Sequence, residues 1–206
     1  MNRKRSLVRP AVAVAAASAA ALVLAACGSG EDGSAGHSGH TAASTSAPAS
    51  QGRHNAADTA FAQGMIPHHR QAVEMAALAA SRAGSAEVKK LAQDIEKAQA
   101  PEIETLSGWL ASWGEDVPAE GAMDHSAHGM GGMMTDEDMD RLEKASGKAF
   151  DTAFLDMMVE HHEGAVEMAE TERADGAYGP ATKMAGEIVT SQSAEIERMN
   201  KLLGKG

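Results

Sequence analysis

From residue 58 onward, apolar and small side chains return every three or four positions, a period that predicts helices. Ala, Glu, Lys, Met and Leu dominate this part of the chain, and β-branched runs are absent, which favours helix over strand. Four long helices are expected over 58–82, 86–113, 148–174 and 180–203. Gly84, and later Gly176, Gly179 and Pro180, mark the turns between them. Thr135 with Asp138 three residues on resembles a capping box, opening a short helix over 136–145 before the Ser146-Gly147 break. Pro67 and Pro101 fall inside the first two helices, where each removes one backbone hydrogen bond and is expected to bend its helix.

The pattern is duplicated. The phrase at 58–76, from Asp58 through Phe61, Met65, His68, His69, Glu74 and Met75, returns at 151–169 as Asp151, Phe154, Met158, His161, His162, Glu167 and Met168. The same shift of 93 positions aligns Gln99, Glu102, Ile103 and Glu104 with Gln192, Glu195, Ile196 and Glu197 without a gap. Each unit reads as helix, turn, helix. The departures are Pro67 and Pro101, whose counterparts are Glu160 and Ala194, so the second unit is expected to be straighter.

At about 100° per residue, Phe61, Met65, His68, His69, Ala72, Met75 and Ala76 share one face of the first helix. Phe154, Met157, Met158, His161, His162, Ala165, Met168 and Ala169 share the same face in the second copy. Glu74 and Glu167 fall on the opposite side. Neither hairpin can bury such a stripe alone, so the predicted fold class is all-α, a four-helix bundle built from two tandem helical hairpins about a pseudo-twofold axis. Four imidazoles and several thioethers then converge near the middle of the core.

The first quarter of the chain lacks this pattern. Arg3, Lys4, Arg5 and Arg9 precede an apolar run over 11–26 that ends in Leu24-Ala25-Ala26-Cys27, the layout of a lipoprotein signal peptide over 1–26 cleaved before a diacylated Cys27. Two acyl chains, at about 0.8 kcal/mol per buried methylene, suffice for stable attachment. The chain is therefore expected at the cell membrane, lipid-anchored on its extracytoplasmic face. Cys27 is the only cysteine, which excludes an internal disulfide and multi-cysteine zinc or iron-sulfur sites. Residues 27–57, rich in Gly, Ser, Ala and Thr, cannot bury enough apolar surface to fold and read as a disordered tether. Within it, His37 and His40 extend the supply of imidazoles. The duplicated domain spans 58–206, with repeat 1 at 58–114, a linker at 115–135 and repeat 2 at 136–206.

Removing residues 1–26 takes away four basic residues and no acidic one, moving the formal charge from −11 to −15. Nucleic acid is excluded as a partner on that balance, whereas a metal cation is compatible with it.

The candidate chemistry is that of soft and borderline metals. The core ligand candidates are His68, His69, Met75, His161, His162 and Met168, with Met65 and Met158 close by. A lone buried histidine is ordinarily a hydrogen-bonded core residue, but four of them need either a metal or a dedicated network of partners. A second set, Met123, His125, His128, Met130, Met133 and Met134, lies in the linker, whose glycines argue against a fixed packing role and so favour metal capture. Thioether and imidazole without thiolate suit Cu(I), with Cu(II) possible at His-rich subsets. Di-iron chemistry would need Glu-x-x-His pairs and zinc proteolysis His-Glu-x-x-His, and neither occurs. Met184 and Met199 read as core filler, and Trp109 and Trp113 as a cap on the end of the bundle. Glu102, Glu195, Gln99 and Gln192 read by default as surface helix residues, with a role beside the histidines as the alternative.

The spacing Phe, Met-Ile-x-His-His-x-x-Ala-Val-Glu-Met-Ala at 61–76 and its counterpart at 154–169, each followed by Gln-x-x-Glu-Ile, resembles the family catalogued as domain of unknown function 305. The resemblance covers about 58–203. It implies an exported protein with a ferritin-like four-helix architecture, copper association in some members, and binding positions at the histidines and methionines named above. The expected function is a lipid-anchored copper-binding protein that sequesters copper or hands it to a transfer protein. The rival readings are a copper-dependent redox enzyme and a metal-free helical adaptor with structural histidines.

Overall fold

The computed structural model describes residues 53–119 and 131–205. Among them the regular structure is helical: α1 (Ala56–Arg82), α2 (Ala86–Trp113), α3 (Asp136–Lys144), α4 (Gly147–Asp175) and α5 (Gly179–Leu202). Helix α1 opens two residues ahead of the expected start because Asn55 caps it, accepting from the Ala57 and Asp58 N–H groups while its own N–H donates to Asp58 Oδ2 at 2.6 Å. Ser85 caps α2, and Thr135 with Asp138 forms the expected box at α3. Helices α1 and α2 run without interruption through Pro67 and Pro101.

Helix α2 packs on α1 and α5 on α4, while α1 and α4 meet in the middle as the inner pair of a four-helix bundle. The short α3 touches the inner pair from the side, burying Met139 and Leu142. Two apolar clusters fill the bundle. One gathers Met75, Leu91, Ile95, Phe150, Phe154 and Met158. The other gathers Phe61, Met65, Ile66, Leu106, Leu110 and Ile188. Between them along both inner helices lie His68, His69, His161 and His162.

The inner pair is held antiparallel by two reciprocal clamps. The Asp58 carboxylate, at the start of α1, accepts from the N–H groups of Ala177 at 3.2 Å and Tyr178 at 2.9 Å, in the turn between α4 and α5. The Asp151 carboxylate, near the start of α4, accepts from the N–H groups of Gly84 at 3.0 Å and Ser85 at 2.9 Å, in the turn between α1 and α2. Each acid therefore satisfies the turn of the other hairpin, and the two sets of partners are themselves 93 positions apart. The Asn55 side chain adds a bond to the Asp175 carbonyl at 2.8 Å.

The symmetry breaks at Glu172, whose counterpart is Ala79. Glu172 is buried beside Asp58, and neither of its carboxyl oxygens has a hydrogen-bond partner. Burial, and then the adjoining Asp58, push its pKa up to about 8, so it is neutral at pH 7. Burial alone would raise Asp58 as well, but the bonds from the Tyr178, Asn55 and Ala177 N–H groups leave it below the usual carboxylate range.

Two outcomes follow from these contacts. Asp151→Ala leaves the two N–H groups at 84 and 85 without their acceptor, and urea unfolding should show a loss of about 1–3 kcal/mol. The Glu172 proton is retained in the folded chain and lost from the unfolded chain between pH about 4.5 and about 8. That contribution is therefore full at low pH and disappears as pH rises through this window. Glu172→Gln should remove this part of the pH slope and unfold at a higher denaturant concentration than the parent at pH 8.

Candidate metal centre

His68 and His161 are the counterparts of one another across the pseudo-twofold axis, and the antiparallel register brings them face to face. Their ring centroids are 3.7 Å apart at an interplanar angle of 40°. Both are fully buried, and among the described residues none of their four ring nitrogens has a hydrogen-bond partner. Leaving buried polar groups unsatisfied costs about 1–3 kcal/mol each, so this pair is held in place by the fold around it. Burial, followed by neighbouring His69, lowers the His68 pKa to about 3, with the Gly131 backbone pulling the other way. Burial and then the His68 ring hold His161 well below the usual imidazole range. Both rings are neutral at pH 7, the form that ligates metals.

The second histidine of each phrase is placed differently. His69 Nε2 lies 2.7 Å from Glu102 Oε2, and His162 Nε2 lies 2.7 Å from Glu195 Oε2. Each contact spans one hairpin, from the inner helix to its own partner. Glu102 and Glu195 are therefore not the free surface residues that the helical pattern favours by default. The Nδ1 atoms of His69 and His162 are buried without partners, as are the side-chain carbonyl oxygens of Gln99 and Gln192.

The methionines divide between the two clusters. Met75 of α1 and Met158 of α4 are fully buried in one, while Met65 of α1 joins the other with Met168 of α4 packed at its edge. Each cluster thus takes methionine from both repeats. Met168 is only partly buried, although the wheel placed it on the inward face. Met199 is the buried filler that its spacing predicts, and Met184 packs at the cluster edge. Among the described residues, no three His, Cys, Asp or Glu side chains stand ready as a metal-ligand cluster.

Of the linker candidates, Met123, His125, His128 and Met130 lie outside the described residues, as does Cys27. The end of the linker corrects the expectation that its glycines leave it without a packing role. Gln71 Nε2 donates to the Met134 carbonyl at 2.9 Å, and the Met134 N–H donates to Gln71 Oε1 at 2.7 Å. Met134 packs against the core, with Met133 beside it half-buried. The glycines are what permit this: Gly132 has φ +82°, and a Cβ on Gly164 would stand 1.8 Å from the Gly131 carbonyl oxygen. Gln71, Gly164, Asp58 and Asp151 were recognisable as members of the duplicated segments, but only the tertiary contact gives them a role.

Trp109 and Trp113 cap one end of the bundle as expected. Both meet Tyr178 edge-on, at 5.5 and 5.2 Å, and His54 stacks on Trp113 at 4.4 Å. No helix among the described residues is long and apolar enough to cross a membrane.

A family model described as a domain of unknown function (DUF305) matches residues 58–203. Among solved structures, a DUF305 protein from Streptomyces coelicolor is 37% identical with a TM-score of 0.65, covering 72% of this chain and 91% of that one. CopM in the Cu(I)-bound form is 33% identical with a TM-score of 0.59, covering 70% of this chain and 94% of that one. CopM in the Cu(II)-bound form is 36% identical with a TM-score of 0.62, with the same coverage. None of the curated proteins compared with the chain matches it.

The neutral histidine pair sets an acid limit for the metal-free protein. Between the ordinary imidazole value of 6.5 and about 3, an unfolded chain takes up the His68 proton that the folded chain refuses. Stability from this source is full above pH about 6.5 and is lost as pH falls toward 3. Denaturant unfolding at pH 7 and pH 5 should show the loss, and a His68→Leu/His161→Leu variant should lose less over the same interval.

Proposed function

The chain belongs to the DUF305 family, and we propose that it is an extracytoplasmic copper-binding protein that sequesters or hands on copper through the imidazoles and thioethers between its two repeats. The observation that carries this reading is the His68–His161 contact, two neutral, fully buried rings whose four nitrogens have no partner among the described residues. Structural histidines would have their nitrogens bonded, so the arrangement counts against the metal-free adaptor. Related CopM structures hold Cu(I), Cu(II) and Ag, which supports a copper-related role for this fold.

Ligand softness orders the metals. Imidazole with thioether favours Cu(I), and buried Met65, Met75 and Met158 are the nearest sources of sulfur along the same helices. Met168, packed at the edge, completes the set. Met123, His125, His128, Met130, Met133 and Met134 serve as the capturing segment, and the Gln71–Met134 bonds tie its end to α1. Export and anchoring through Cys27 rest on the signal-peptide layout alone.

The test is a Cu(I) titration of the full chain against a competing chromophoric chelator, beside a His68→Ala/His161→Ala variant and a deletion of residues 123–130. The double variant should bind the tightest copper at least about 100-fold more weakly, roughly 2.8 kcal/mol. The deletion should lower the number of ions taken up and leave that tightest affinity in place. Equal affinity in the parent and the double variant would remove the core from the account.

A further inference from the structure

The two histidines of each phrase differ in one respect that bears on which atoms can ligate. His68 and His161 have no partner at either nitrogen, whereas His69 and His162 each have Nε2 engaged by a glutamate from the neighbouring helix of the same hairpin. We propose that Glu102 and Glu195 are positioning residues that fix His69 and His162 as the Nε2–H tautomer and so assign their Nδ1 atoms to a soft monovalent cation. This rests on the copper reading above and adds to it the ligating atom and the residues that select it.

Glutamate and imidazole are complementary as hydrogen-bond partners. The side chains of Glu102 and Glu195 keep 24% and 21% of their surface in contact with solvent, while the histidine rings that they meet are buried. A carboxylate can only accept, so the nitrogen 2.7 Å away must donate. Nδ1 is buried in both rings with no partner among the described residues, so a proton on it would be an N–H without an acceptor, and in the neutral ring it is left with its lone pair. The opposite tautomer would set a lone pair against the carboxylate and bury an N–H with no acceptor. A lone pair presented to a dry core beside neutral rings is what a cation needs. The glutamate on the far nitrogen also fixes the orientation of the ring, as carboxylates behind ligating histidines do.

The same geometry recurs with the same 2.7 Å separation in both repeats, 33 residues from histidine to glutamate in each. Each hairpin thus carries one anchored imidazole. The unanchored pair, His68 and His161, is held by packing alone, with no hydrogen bond at either ring among the described residues.

The test labels the full chain with 15N-histidine and records two-bond proton–nitrogen correlations, first metal-free and then with Ag(I) as a diamagnetic stand-in for Cu(I). In the metal-free protein, His69 and His162 should show a protonated Nε2 and a bare Nδ1, and Glu102→Leu should convert His69 to mixed tautomers while leaving His162 unchanged. Glu104→Gln, on the exposed side of the same helix, should alter neither. Ag(I) should then shift the Nδ1 resonances of both rings, and Glu102→Gln with Glu195→Gln should weaken Ag(I) binding about 10–100-fold. A protonated Nδ1 in the metal-free parent would overturn the proposal without recourse to any variant, and an unchanged His69 tautomer in Glu102→Leu would overturn the role of the glutamate. Ag(I) shifts at Nε2 would overturn the atom assignment alone and leave the copper reading in place. Silence of all four core rings toward Ag(I) would remove the copper reading and, with it, the assignment of Nδ1 as ligand.

Discussion

At the centre of this bundle two uncharged imidazoles are pressed together in a place that water does not reach. A pseudo-twofold axis between antiparallel, pseudo-equivalent helices makes every residue near the axis meet its own counterpart, so a histidine at position 68 requires a histidine contact at position 161. Such a contact is unfavourable in isolation. It persists because the apolar clusters on either side, the reciprocal Asp58 and Asp151 clamps and the Gln71–Met134 bonds hold the inner helices in one register. Slipping that register would expose the clusters and break both clamps together. The fold thus keeps in place ring nitrogens that have no hydrogen-bond partner among the described residues, at a cost of about 1–3 kcal/mol each.

Symmetry supplies the donors, and its departures supply direction. The apolar cluster toward the end of α1 takes Met75, Met158, Met139, Met157 and Met199, with Met134 packed against it from the linker. The other takes Met65, with Met168 and Met184 at its edge. The linker and α3 are absent from any simple doubling of the hairpin, and both bring methionine to the same side. Thioethers are soft, polarisable and adaptable in packing, so a core rich in them can rearrange around a cation at lower cost than one of branched aliphatics. Glu172 marks the opposite kind of departure, a neutral acid beside one clamp where the other has only Ala79.

The fold was legible because its signals are local and repeated. Helical spacing, the Gly84 and Gly179-Pro180 breaks, and the Thr135–Asp138 box each act within a few residues, and helix bounds fell within about two positions. The inward face of α1 followed from the same periodicity. What the sequence could not disclose were partners set by tertiary register. The exposed pattern of α2 and α5 made Glu102 and Glu195 look like surface residues, and only the packing of each hairpin aims them at His69 and His162. Asp58 and Asp151 open both copies of the duplicated phrase, yet their acceptor role depends on a turn of the opposite hairpin, 120 residues away for Asp58 and 66 for Asp151. The glycines at 131 and 132 misled for a definable reason: glycine marks mobility in a free linker and close approach in a packed one, and Gly164 on the facing helix decides between them.

The central claim is that copper is held between the repeats, and anomalous scattering from crystals of the Cu(I)-loaded chain, collected on both sides of the copper absorption edge, tests it most directly. The account predicts an anomalous peak within the layer formed by His68, His69, His161 and His162. Peaks confined to the linker or to surface histidines such as His54, with the His68–His161 contact intact, would contradict it.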